Sequence, residues 1–197
     1  MLPDTLIDMH ILFIQGGGAG THDEWDDQLV DSLRRALGDG FDVRYPRMPD
    51  EDDPSPATWG PAIQRELDDL DDGAVVVGHS VGGTILIHTL AAQAPEAKLA
   101  AVVLIAAPFV GDGGWPADDA FALPRDLGAR LPPDMAVHLV LGLDDDTVPP
   151  SHADAYGRAI PQAQVHLLPG RDHQLGDDLS EVAGLIRATR GGSVGPR

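Results

Sequence analysis

Apolar residues fall in short blocks along this chain, and the blocks are of two kinds. Some are nearly continuous: Ile11-Leu12-Phe13-Ile14, Ala74-Val75-Val76-Val77, Ala101-Val102-Val103-Leu104-Ile105 and Ala136 to Leu141. Uninterrupted runs of this length, rich in β-branched residues, are what a strand covered on both faces needs. Phe41 to Tyr45 and Val165-His166-Leu167-Leu168 read as two further strands, and the polar interruptions in the first place it nearer the sheet edge. The other blocks are periodic. Trp25, Leu29, Leu33 and Leu37 recur at every fourth position, and Ile63, Leu67 and Leu70 follow a helical spacing with Trp59 near the start. Ile85, Leu86, Leu90 and Ala91, then Ala153, Tyr156 and Ile160, then Leu179, Val182, Ala183 and Ile186, repeat it. Each set marks the buried stripe of an amphipathic or buried helix.

The breakers fall between the blocks. Gly38 and Gly40 end the first helix, Pro46 to Pro56 form a Pro/Asp-rich loop, Asp71-Asp72-Gly73 make a turn, and Pro95 stops the helix after the third strand. Asp178 and Glu181 are spaced as a capping box for the last helix. Residues 108–133 carry no clear period; Leu123 to Leu131 are expected to be helical, and the stretch is either a lid-like cover or an irregular crossover. Strand and helix in alternation imply an α/β fold: a single-domain, three-layer α/β/α arrangement around a mostly parallel sheet of five or six strands. The domain is expected over residues 1–190, with residues 191–197 a disordered tail.

Composition narrows the partners. Thirteen basic residues against 32 acidic give a net charge of −19, so nucleic acid and anionic membranes are not expected partners. There are no cysteines, which removes disulfides, thiolate nucleophiles and zinc–thiolate sites and suits a reducing, cytoplasmic setting. Residues 1–10 lack the basic start and apolar run of a secretory signal. No EF-hand spacing accompanies the acidic clusters, and neither a metal nor a cofactor is expected.

The chemistry gathers at the ends of strands. Val75-Val76-Val77 run into Gly78-His79-Ser80-Val81-Gly82-Gly83, and a helix-compatible segment follows. Strand, tight turn and helix around Gly-x-Ser-x-Gly is the context of a nucleophile elbow, with Ser80 the nucleophile and the Val81 N–H an oxyanion donor. Gly78 and Gly82 leave room for the turn. Gln15-Gly16-Gly17-Gly18 ends the first strand; no Lys-Ser/Thr follows, so it is not a Walker loop, and Gly17 is the candidate second oxyanion donor. Serine needs a base to take its proton. Of eight histidines, His173 follows a strand end in a loop free to reach Ser80, and His22 is the runner-up. His79 is expected to turn its side chain away from Ser80. The orienting carboxylate lies among Asp144, Asp145 and Asp146.

With these residues in hand, the chain resembles the α/β-hydrolases over nearly its whole length. The motifs that carry the likeness are Gln15 to Gly18, Gly78 to Gly82, Gly142 to Pro149 and Gly170 to His173, in the order Ser, Asp, His. More narrowly it is similar to the small, lidless serine hydrolases of the retinoblastoma-binding hydrolase type, to which Met48-Pro49-Asp50 and Trp59 add support. The superfamily's first two strands are not expected here, because the glycine turn comes within the first twenty residues. The resemblance implies a sheet in order 2-1-3-4-5(-6), a Ser80–Asp145–His173 triad, with Asp145 singled out by the Gly142-x-x-Asp145-x-x-Val148-Pro149 spacing, and oxyanion donors from Val81 and Gly17. Gln15 departs from the histidine that often precedes the glycines.

The function expected is hydrolysis of a small ester through an acyl-enzyme on Ser80. Alternatives are acyl transfer with the same residues and a non-catalytic binding protein on the same fold. His22, Trp25, Trp59, Trp115 and Phe121 are the candidate pocket residues. A serine at the elbow disfavours dehalogenase and epoxide-hydrolase chemistry, which uses aspartate there.

Overall fold

The structure, a computed structural model, describes residues 9–116 and 120–192. Six strands form one parallel sheet: β1 (Met9–Ile14), β2 (Phe41–Arg44), β3 (Val75–His79), β4 (Ala101–Ile105), β5 (Ala136–Gly142) and β6 (Gln164–Leu168), in spatial order β2-β1-β3-β4-β5-β6. The polar-interrupted strand β2 is at one edge and β6 at the other. Helices α1 (Asp26–Leu37), α2 (Pro56–Asp68), α3 (Ser80–Ala92), the single turn α4 (Leu127–Arg130), α5 (His152–Ala159) and α6 (Ser180–Gly192) cover the two faces.

The continuous apolar runs have a reason: alternate side chains enter two separate cores. Leu12, Ile14, Val76, Val102 and Leu104 pack with Trp59, Ile63, Leu86 and Tyr156. Ile11, Phe13, Val75, Val77, Val103 and Ile105 pack with Leu29, Leu33, Val182 and Ile186 from α1 and α6. Period-two alternation with both faces buried leaves Ile11 to Ile14, Val75 to Val77 and Ala101 to Ile105 without a polar residue. Strand β6 is different, with Val165 and Leu167 each 43% exposed. The register pairs Ile14 with Gly78, His79 with Ile105, and Gly142 with Leu168, so the loops that follow β1, β3, β5 and β6 open on one edge of the sheet.

Four expectations need correction. Trp25 is not on the stripe of α1: Thr21–Trp25 form a separate wide turn, which shifts the helical phase and leaves Trp25 55% exposed. Leu70 is buried, but beyond the end of α2. In the 123–131 stretch only Leu127–Arg130 are helical. Asp178 and Glu181 do not form a reciprocal capping box: Asp178 Oδ1 accepts the Ser180 N–H (3.0 Å), and both carboxylates accept hydrogen bonds from Arg171. Helix α6 includes Gly191 and Gly192, and the tail from residue 193, like the leader reading of residues 1–8, lies outside the described residues. Among the described residues no helix is long and apolar enough to cross a membrane.

Candidate active site

The elbow is built from close backbone approaches. Ser80 has φ of +50°, a left-handed conformation uncommon outside glycine. The chain can hold it there because its neighbours lack side chains. A Cβ on Gly78 would come within 2.6 Å of the Gly83 Cα, and one on Gly82 would run into the Gln15 carbonyl oxygen. Helix α3 therefore starts directly against the end of β1, and this contact draws the glycine loop to the serine. Strain of this kind persists only where the surroundings over-determine it.

His173 and Asp145 arrive from the other side. The loop after β5 is laid on the loop after β6: the Leu143 N–H donates to the Leu168 carbonyl (2.9 Å) and the Asp144 N–H to that of Arg171 (3.0 Å). Gly142 is required at this contact, since a Cβ there would meet the Arg171 and Asp172 carbonyls. Of the three consecutive aspartates only Asp145 is buried, at 4% exposure. Its Oδ1 accepts the N–H groups of Thr147 and Val148, both at 2.8 Å, and its Oδ2 accepts the His173 Nδ1–H at 2.8 Å. Asp144 and Asp146 are exposed. Burial pushes the Asp145 carboxyl upward, but the His173 bond and the two N–H groups outweigh it and hold the group below its ordinary range. The opposite nitrogen of His173, Nε2, stands 3.0 Å from Ser80 Oγ, so the hydroxyl donates to it. Serine, imidazole and carboxylate form one unbroken hydrogen-bonded row, an arrangement that can deprotonate the hydroxyl and hold the resulting imidazolium.

Gly17 and Val81 also meet. A Cβ on Gly17 would lie 2.8 Å from Val81 Cγ1 and 2.6 Å from Pro54 Cγ. The Val81 N–H is in the first turn of α3, where no intrahelical acceptor exists.

Two of the five pocket candidates line the space beside the elbow. Trp115 and Phe121, with Val81, Pro108, Val110 and Pro116, enclose a cleft of about 210 Å³. Trp115, 37% exposed, packs edge-on to the His152 ring at 6.0 Å, and His152 is fixed by accepting the Phe109 N–H (2.9 Å). The other three do not line that cleft. Trp59 is fully buried in the core and donates its indole N–H to the Pro49 carbonyl (2.6 Å), so it anchors the loop after β2. His22 stacks on Tyr45 at 4.2 Å and is bound at both ring nitrogens, by Asp23 and the Tyr45 carbonyl. Trp25 faces outward from its turn.

Comparison with known proteins agrees with the fold. Residues 11–139 match the model of the alpha/beta hydrolase family. The chain belongs to that family. The matched span holds the glycine loop and the elbow and ends before Asp145 and His173. No curated protein matches. Among solved structures, the ydeN gene product of B. subtilis superposes with a TM-score of 0.71 at 17% identity, over 93% of this chain and 98% of that one. A serine hydrolase involved in carbazole degradation (CarC) gives 0.72 at 14%, over 95% and 92%. XC6422 from Xanthomonas campestris, described as an α/β serine hydrolase without a lid, gives 0.64 at 16%, over 98% and 87%. At these identities the likeness is one of fold.

The structure of this alpha/beta hydrolase also places residues in the site that the sequence did not single out. Asp26, at the start of α1, is fully buried; its Oδ2 accepts the Gly16 N–H (2.6 Å) and faces His79 Nδ1 (2.9 Å). His79 does not turn away from the site. Its Nε2 points at the main-chain carbonyl of His173 (3.1 Å), and the two rings lie 5.1 Å apart. Gln15, buried at the end of β1, accepts the Met48 N–H (3.0 Å) and donates to Glu51 (2.9 Å). The Glu51 carboxylate also accepts the N–H groups of Gly20 and His22, and its carbonyl accepts that of Gly18 (2.6 Å). The signal that could have found Asp26 and Glu51 is weak, because they are two among 32 acidic residues.

Proposed function

We infer that this protein is a serine hydrolase that cleaves small esters through an acyl-enzyme on Ser80. The observation that carries this is the row Ser80 Oγ, His173 Nε2, His173 Nδ1 and Asp145 Oδ2, with spacings of 3.0 and 2.8 Å across the imidazole. In the proposed reaction Ser80 Oγ attacks the ester carbonyl as His173 Nε2 takes its proton. The carbonyl oxygen becomes an oxyanion held by the N–H groups of Val81 and Gly17. His173 then protonates the departing alkoxide, and Asp145 keeps the ring in the orientation both transfers need. A water, deprotonated by His173, attacks the acyl-enzyme, and His173 returns that proton to Ser80 Oγ as its bond to the acyl group breaks and the acid is released. The cleft of about 210 Å³ beside Val81 supports a short acyl chain or a single ring, since an apolar cavity of roughly 150 Å³ already holds benzene.

A fluorophosphonate probe tests this. It should label the wild-type protein and not Ser80→Ala, and Ser80→Ala should lower kcat on p-nitrophenyl acetate by about 10⁴-fold or more. Wild-type protein that neither labels nor hydrolyses the ester would overturn the reading.

A further inference from the structure

We propose that Asp26 and His79 are positioning residues: a buried imidazolium–carboxylate pair that fixes the His173 backbone and the glycine loop with one carboxylate oxygen. The inference rests on the hydrolase reading for its catalytic consequence, but not for its chemistry.

That chemistry follows from what each atom can do. The carbonyl oxygen of His173 only accepts, so His79 Nε2, 3.1 Å away, must carry a proton. A carboxylate likewise only accepts. Asp26 Oδ2 already takes the Gly16 N–H at 2.6 Å, and it lies 2.9 Å from His79 Nδ1. A second proton therefore sits between Asp26 and His79, and the pair is an imidazolium and a carboxylate with no net charge. Both side chains are removed from solvent, 2% exposed for His79 and 0% for Asp26, so neither charge is tolerable without the other.

The surroundings agree. Burial alone would push the His79 pKa down, yet Asp26, the His173 carbonyl and, beyond them, Asp145 raise it overall. Burial would push Asp26 up, yet the His79 charge and bond and the Gly16 N–H lower it overall. The other titratable groups nearby are the His173 ring at 5.1 Å and Tyr45, whose phenol the Asp26 charge helps keep protonated.

The consequence is a coupling of two parts that reach the serine from different strands. Gly16 precedes the candidate oxyanion donor Gly17, and the His173 carbonyl belongs to the residue proposed as the base. One oxygen of Asp26 holds the first directly and the second through His79. An asparagine at 26 can still meet a neutral His79, by donating to Nδ1 while Nε2–H keeps the His173 carbonyl. It then presents an N–H where Gly16 needs an acceptor. Asp26→Asn should thus release the glycine loop while leaving His173 in place.

Nitrogen NMR on protein labelled at histidine reads the pair in the wild type. His79, assigned by the signals lost in His79→Gln, should show both nitrogens protonated from pH 6 to pH 8, across the range where a free imidazole, with a pKa of about 6.5, loses its proton. A singly protonated His79 ring at pH 8 would overturn the proposal. Kinetics read the consequence. Asp26→Asn should lower kcat on p-nitrophenyl acetate by about 10- to 100-fold per fluorophosphonate-labelled molecule, with KM within about twofold, as a misplacement near 1 Å would. A kcat unchanged per labelled molecule would also overturn it. Wild-type protein that does not label would sink the hydrolase reading instead, and the NMR result would still decide the pair.

Discussion

Two histidine–aspartate pairs stand side by side at the carboxyl edge of the sheet, His173 with Asp145 and His79 with Asp26. Their inner halves are alike: a ring Nδ1 faces a carboxylate oxygen at 2.8 Å in one and 2.9 Å in the other, and the carboxylates also accept main-chain N–H groups, two on Asp145 and one on Asp26. The outer halves differ. His173 Nε2 faces a serine hydroxyl, which can give up a proton, whereas His79 Nε2 faces a carbonyl, which has none to give. His173 is also partly open to solvent, while His79 is sealed. In the proposed reaction the same two residue types would make a proton carrier in one place and a fixed clamp in the other, and the partner of the far nitrogen would decide which.

The contrast can be broken most strongly at Asp145. Asparagine there would keep its carbonyl on the Thr147 and Val148 N–H groups and turn its amide toward His173, forcing the tautomer that cannot accept from Ser80. Asp145→Asn should lower kcat by about 10⁴-fold. Exposed Asp144→Asn should stay within about twofold, and equal losses in the two would show the wrong carboxylate was chosen. This exceeds the loss expected at Asp26, because in the proposed reaction only the first pair would exchange its proton during turnover.

A change that touches neither pair sharpens the comparison by isolating binding. Trp115→Ala opens the cleft without reaching His173. It should raise KM for p-nitrophenyl butyrate by about tenfold, the cost of roughly 1.4 kcal/mol of apolar contact, and leave kcat nearly unchanged. A matching fall in kcat would mean that Trp115 also orders the catalytic row.

The smallest effect is on stability against pH. The Asp26 pKa is lowered on folding, so its contribution is present above the unfolded value near 3.9 and is lost as pH falls through the folded value. The His79 pKa is raised, so its contribution is complete below about 6.5 and is lost as pH rises through the folded value. The clamp should therefore stabilise the fold most between about pH 4 and 6.5. The double variant Asp26→Asn/His79→Gln should remove the alkaline decline in Tm due to His79, with Tm responding by roughly 2–4 °C per kcal/mol of linkage. An undiminished alkaline decline in the double variant would place its origin elsewhere.

Much of this was legible in the chain itself. Central strands buried on both faces have to be apolar throughout, so Val75 to Val77 and Ala101 to Ile105 announced the sheet. The elbow was legible because its glycines answer a steric demand that no other residue meets. His173 could be chosen because a strand end precedes it. The clamp was not legible. Asp26 looks like any acidic residue in a first helical turn, and only packing against His79, 53 positions away, buries it. His79 was expected to turn away from the Ser80 site, yet its ring lies 5.1 Å from that of His173 and faces its backbone carbonyl. The period of four does not reach Trp25, because the wide turn at Thr21–Trp25 breaks the helical phase.

Glu51 carries a last consequence. Through its carboxylate and carbonyl it gathers Gly18, Gly20, His22 and Gln15, yet it belongs to the loop after the edge strand β2. Edges and loops open locally at far lower free energy than a sheet's centre. The glycine loop thus inherits the fragility of the corner it hangs from, so warming would silence the site while the central strands were still paired.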